Sequence, residues 1–79
     1  MSSTLEASAL RHEVRVVGAN GDPRVVRRLA ELGVRAGCRM VALRRTPGGG
    51  RVVSVDGSRI ALDRDTLRLL TVEPVGAAG

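Results

Sequence analysis

Few residues in this chain can do chemistry. It carries one histidine, His12, one cysteine, Cys38, and 8 carboxylates against 13 basic residues, every one of them arginine. Nucleophilic catalysis needs a thiol or hydroxyl with a base in hydrogen-bond reach. His12 and Cys38 stand far apart with no local motif joining them. The cysteine therefore reads as a small apolar residue at a strand start, and His12, beside Glu13, as part of a solvated pair. Zinc asks for about four ligands, and ferrous iron for imidazole and carboxylate clusters at close spacing. The best carboxylate group is Asp56, Asp63 and Asp65, yet a hairpin turn and a helix cap already account for Asp56 and Asp63. Gly48-Gly49-Gly50 lacks the Lys-Ser or Lys-Thr of a phosphate cradle, and a strand rather than a helix follows it. No catalytic residue, metal ligand or cofactor is expected. The chain reads as a non-enzyme.

The arginines remain. Arg24, Arg27 and Arg28 form one cationic patch; Arg44 and Arg45, with Arg51 across the glycine turn, form a second. Net charge is +5 and the isoelectric point near 11.5, which suits an acidic protein surface or phosphate groups gripped by guanidinium forks. These six are the candidate partner-binding residues, set against a plainer reading in which they are a solvated face partly neutralised by Glu31. Nucleic acid is disfavoured by the complete absence of Phe, Tyr and Trp, because single-strand binders stack bases on aromatic rings. The same absence weakens a groove for proline-rich peptides.

The elements that must position these groups can be read in order. A chain of 79 residues allows one domain with a modest core. Apolar runs of only a few residues exclude a membrane-spanning helix, and 43% apolar content excludes a disordered chain. The first dozen residues carry Glu6, Arg11 and His12 rather than a secretory pattern. With a lone cysteine, a cytoplasmic setting is expected. Residues 1–9 read as a lead-in, with Ser3 and Glu6 able to cap a short helical turn from Leu5 to Leu10. Val14 to Val17 reads as a strand, closed by a Gly18-Ala19-Asn20-Gly21 loop.

The main helix follows, over about 23–32. Asp22 is a good N-cap and Pro23 suits the first helical position. Val25, Val26, Leu29, Ala30 and Leu32 make its apolar face, with the arginines opposite. Gly33 should end it as a left-handed cap, with Val34 folding back on the last turn. Gly37 then turns the chain into a strand from Cys38 to Arg45, and the triple glycine reads as a mobile turn. Asp56-Gly57 is the preferred two-residue hairpin turn. It pairs Val55 with Ser58, Val53 with Ile60 and Arg51 with Leu62, placing Val53, Val55, Ile60 and Leu62 on one face. Asp63 caps a helical turn through Leu67, Leu69 to Glu73 forms the last strand, and 76–79 reads as a disordered tail. About five short strands and one good helix predict a mainly β protein, a small, strongly bent barrel whose closure removes exposed edges.

Three segments occur together in a familiar order. They are Leu29-Ala30-Glu31-Leu32-Gly33-Val34-Arg35-Ala36-Gly37, an apolar strand ending in Arg44-Arg45, and Val55-Asp56-Gly57-Ser58-Arg59-Ile60-Ala61-Leu62. The stretch from 10 to 75 resembles the ferrous iron transport protein A (FeoA) family, and is similar to the C-terminal domain of diphtheria-toxin-repressor-type metalloregulators. The resemblance implies an SH3-like barrel, cytoplasmic and without enzymatic activity, that docks on the cytoplasmic portion of a FeoB-type membrane transporter and modulates ferrous iron uptake. It implies a monomer or weak homo-oligomer with no direct membrane insertion, and it carries over no metal or catalytic residues. The alternatives are a small basic barrel binding nucleic acid and an SH3-like domain of a metal-dependent regulator. A chain lacking a repressor's DNA-binding helices favours the transport accessory.

Overall fold

A computed structural model describes residues 2–76. In chain order the elements are β1 (Ser3–Thr4), β2 (Glu13–Ala19), α1 (Pro23–Glu31), β3 (Arg39–Arg45), a 3-10 turn (Pro47–Gly49), β4 (Arg51–Val55), β5 (Ser58–Leu62), α2 (Arg64–Leu69) and β6 (Leu70–Pro74). The strands make a single antiparallel sheet of 6, in the order β1-β6-β2-β3-β4-β5. Strands β2 to β5 form a meander, and β6 returns to pair with β2 from the other side. Register shifts between Val16 and Gly18 and between Ala42 and Arg44 put the bends into β2 and β3.

Alternation of apolar and polar residues decides which face is inside. Val14 and Val16 of β2, Met40 and Ala42 of β3, Val53 and Val55 of β4, and Val72 of β6 all point inward and are buried. Leu5, Leu29, Val34, Leu62, Leu67 and Leu70 complete the core. The filling is wholly aliphatic. Ile60 packs against its margin.

Local chemistry explains the helix ends. The Asp22 carboxylate accepts the Arg24 N–H at 2.8 Å, ahead of Pro23 at the start of α1. At the other end Val34 N–H donates to Leu29 O at 2.8 Å and Gly33 N–H to Ala30 O at 3.0 Å, the paired bonds of a Schellman cap. Gly33 has φ +93°, where a side chain would be strained. In the hairpin, Asp56 (φ +51°) and Gly57 (φ +79°) form the tight turn, and the pairs are Val55–Ser58, Val53–Ile60 and Arg51–Leu62.

Several expectations need correction. Gly18 and Ala19 are not loop: β2 runs on to Ala19 because Gly18 and Ala19 pair with Thr71 and Leu70 of β6. The stretch read as a lead-in is built into the fold. Ser3 and Thr4 pair with Val72 and Thr71 as a strand, and Leu5 is fully buried, so the expected helical turn is only a reverse turn. The glycine turn is held rather than mobile. Thr46 N–H donates to Gly50 O at 2.9 Å, and a Cβ on Gly50 would stand 2.6 Å from Leu62 O. Leu32 does not join the core face; it caps α1 and is 50% exposed. The expected tail at 76–79 lies outside the described residues apart from Gly76.

The backbone ladder does not close. β5 and β1 are the two ends of the sheet and do not pair. Side chains span the seam instead. Arg51, on β4, sends one guanidinium nitrogen to Leu5 O at 3.1 Å and Ser8 O at 2.8 Å. Glu6 accepts from Arg64 at 3.0 Å and from Arg68 at 3.1 Å, tying the β1 end to α2.

Candidate partner-docking surface

The six candidate arginines divide three ways. Arg24, Arg27 and Arg28 are exposed on α1, and none has a carboxylate partner among the described residues. Arg44 and Arg45 are exposed at the end of β3, next to the glycine turn, and are likewise unpaired. Arg51 is the exception, and the partner-binding reading is wrong for it. Inward alternation along β4 sets Arg51 on the same face as Val53 and Val55, leaving it 5% exposed. Loss of hydration and the neighbouring Arg45 charge push its pKa below the ordinary guanidinium value, while Glu6 raises it. A charge so buried must be bonded, and the Leu5 and Ser8 carbonyls supply the acceptors.

Beside α1 runs a feature that hydrophobic periodicity did not separate from core. An open groove of about 410 Å³ lies between α1 and the end of β5, lined by Val25, Arg28, Leu29, Leu32, Ala61, Leu62, Asp63 and Thr66. A second depression, of about 440 Å³, lies on the other side of Ala61-Leu62-Asp63, against the Pro47–Gly50 turn and Arg64. The Asp63 carboxylate between them is engaged as the cap of α2, accepting the Thr66 N–H at 2.8 Å. The Thr66 hydroxyl and N–H hold it below the usual carboxylate range. Leu32 is the residue that marks this site, and the one signal available was its place at the very end of the apolar stripe.

The remaining charged groups are structural or solvated. Arg15 pairs with Glu73 at 2.8 Å, and Arg39 stands 3.9 Å from Glu13, in the open. Such exposed pairs stabilise by about 0–1 kcal/mol each. Arg68, chiefly, and Arg64 hold the Glu6 carboxyl below its ordinary value. Among the described residues no 3 His, Cys, Asp or Glu side chains converge as a metal-ligand set. None of their helices is long and apolar enough to cross a membrane.

A bent six-stranded antiparallel sheet with one main helix and a cationic surface defines the class: a small SH3-like barrel. The chain matches the FeoA domain over residues 4–74, and it belongs to the FeoA family. Its fold superposes on the crystal structure of an iron uptake regulatory protein, FeoA, with TM-score 0.86 at 23% identity, covering 95% of this chain and 100% of that one. The FeoA protein from Chlorobium tepidum is similar at 25% identity and TM-score 0.86, over 94% of this chain and 71% of that one. A manganese-dependent transcriptional repressor shares the fold at 21% identity and TM-score 0.85; this chain spans 94% of its own length but 42% of the repressor. No curated protein matches by sequence.

Proposed function

We propose that this protein is a non-enzymatic accessory of ferrous iron uptake, acting in the cytoplasm by docking on the cytoplasmic portion of a FeoB-type transporter and modulating transport. Membership of the FeoA family over residues 4–74 carries the reading. The surface supports it. Arg24, Arg27 and Arg28 stand exposed and unneutralised on a helix held to the core by Leu29, so they are free to meet an acidic partner. Ferrous iron is the transporter's cargo in this scheme, and the accessory needs no ligands for it.

The test is a binding titration between the full chain and the recombinant cytoplasmic portion of the transporter, with and without the Arg24/Arg27/Arg28→Glu triple change. Only Arg24 lies in the first turn of α1, where the helix dipole favours an acid, and Arg28 lies in the last, where it does not; but all three side chains are exposed, so the fold is kept while the surface charge is reversed. We expect the affinity to fall at least roughly tenfold. Equal affinity would clear that patch, and no binding by the unaltered chain would defeat the docking reading.

A further inference from the structure

Among the described residues β5 ends the sheet, and its outer edge has no neighbouring strand. In an antiparallel hairpin the residues of alternate pairs turn their N–H and C=O groups away from the partner strand. The two-residue turn makes Val55–Ser58, Val53–Ile60 and Arg51–Leu62 the bonded pairs, which leaves the main-chain groups of Arg59 and Ala61 facing outward. Neither residue makes another backbone bond among the described residues. Ala61, Leu62 and Asp63 line both depressions, so the two grooves adjoin at the free edge and together make a trough from α1 to the glycine turn. One end is floored by Val25, Leu29 and the half-exposed Leu32, with Arg28 at its rim; Arg24 shares a further depression with Arg28, Val25 and Asp22, whose carboxylate, like that of Asp63 in the trough, is engaged as a helix cap. Arg59 stands exposed on the edge strand itself.

We propose that this trough receives an extended acidic segment of a partner protein, which adds to the edge of β5 as a further strand. Its main chain takes up the groups of Arg59 and Ala61, an apolar side chain seats against Val25, Leu29 and Leu32, and its carboxylates face Arg24, Arg28 and Arg59. Main-chain bonding supplies affinity in strand addition, and the side-chain pockets supply specificity. Charge selects the occupant. A second copy of this chain carries the same net +5 and would set its own arginines against Arg59 and Arg28. A nucleic acid cannot continue a β-ladder. The identity of the partner rests on the docking reading above; the trough and its ligand chemistry do not.

Two measurements keep those apart. The first titrates the isotope-labelled full chain with a synthetic, end-blocked decapeptide alternating glutamate and valine, followed by amide NMR. The expected result is shift changes confined to Arg59–Asp63 and Val25–Leu32, with slowed exchange at the Arg59 and Ala61 amides. A lysine–valine peptide of the same length should leave those signals in place. Equal response to the two peptides, or shifts confined to other surfaces, overturns the proposal. So does concentration-dependent change at β5 without peptide, which would assign the edge to a second copy. The second measurement titrates the transporter's cytoplasmic portion with Leu32→Glu and Arg28→Glu variants, using Arg44→Glu/Arg45→Glu as the off-trough control. Roughly tenfold or greater weakening in the first two variants alone supports the trough. Unchanged affinity in all of them overturns the trough as the transporter's docking site while sparing the docking. A peptide response without transporter binding keeps the trough and removes the transporter as its partner.

Discussion

Arg51→Met replaces a buried guanidinium by a shorter, unbranched apolar side chain. In the native protein one nitrogen of Arg51 serves Leu5 O at 3.1 Å and Ser8 O at 2.8 Å. The substitution does not treat the two carbonyls alike. Leu5 O still accepts the Ser8 hydroxyl at 2.9 Å and the Ser8 N–H at 3.4 Å, so it stays bonded. Ser8 O has no other protein donor among the described residues; being part-buried, it is stranded only in part, at the lower end of a cost of about 1–3 kcal/mol. Losing a charged donor adds to that, while removing the desolvated charge gives some of it back. The net expectation is a loss of about 2 kcal/mol, out of the ~4–12 kcal/mol that holds a domain of this size at 0.05–0.15 kcal/mol per residue. In thermal unfolding this is a Tm drop of roughly 8–16 °C. With no Phe, Tyr or Trp in the chain, far-ultraviolet circular dichroism or NMR must follow the transition. Hydrogen exchange adds a spatial check: the Leu5 N–H, bonded to Leu70 O at 2.9 Å, should lose protection before the Val53 and Val55 amides of the β4–β5 hairpin. An Arg51→Met variant within about 0.5 kcal/mol of the native protein, the usual range of an inert surface change, would mean that Arg51 does not hold the seam.

Gly33→Val should destabilise by more than the ~1–2 kcal/mol that a left-handed conformation costs an ordinary residue, because φ is +93° and β-branching tolerates such angles worst; near-native denaturant unfolding would remove the cap from the account. Leu29→Ala should cost about 2–5 kcal/mol, since Leu29 is the buried residue of α1, and a loss below that range on urea titration would show the helix to be held elsewhere. Acid should destabilise the fold through Glu6 and Asp63. Both carboxyls titrate below their ordinary values, 4.5 and 3.8, so their stabilisation is complete above those values and is lost as the pH falls through the depressed ones. Glu6→Gln should flatten part of that acid slope, and an unchanged slope would sink the assignment to Glu6.

The local elements were legible because each has a short-range cause. Asp22-Pro23 and Gly33-Val34 bracket α1, Asp56-Gly57 sets the β4–β5 register, and Asp63 starts α2. What escaped depends on contacts between residues remote in sequence. Nothing near Ser3 and Thr4 marks a strand; they become one because β6, at the far end of the chain, offers an edge. The hairpin register set Arg51 opposite Leu62, in step with Val53 and Val55, and that alternation was the signal separating it from Arg44 and Arg45. What the register could not show is the pair of carbonyls, 46 and 43 residues upstream, that bond it there. Leu32 follows the apolar stripe but stands past the last turn of α1, on the open groove with Val25 and Leu29 rather than under the sheet. The site shared this fate. The arginines of α1 could be named from spacing, whereas the trough needs β5, α1 and the glycine turn brought together.

The seam and the trough have one origin. A short chain that closed its ladder completely would have no strand edge left for a partner. Here the turn after β1 is joined to β4 by a guanidinium and two carbonyls, so the sheet is tied into a barrel while the outer edge of β5 stays unbonded. An open edge is an aggregation hazard, and one common protection is charge. Arg59 on that edge, with Arg24, Arg27 and Arg28 alongside, provides it against copies of the same sign, and that same charge is what an acidic segment would find attractive. The arginine surplus thus acts in opposite senses by position. Arg51 stabilises the barrel because it is buried and bonded, and the arginines around β5 matter because they are neither.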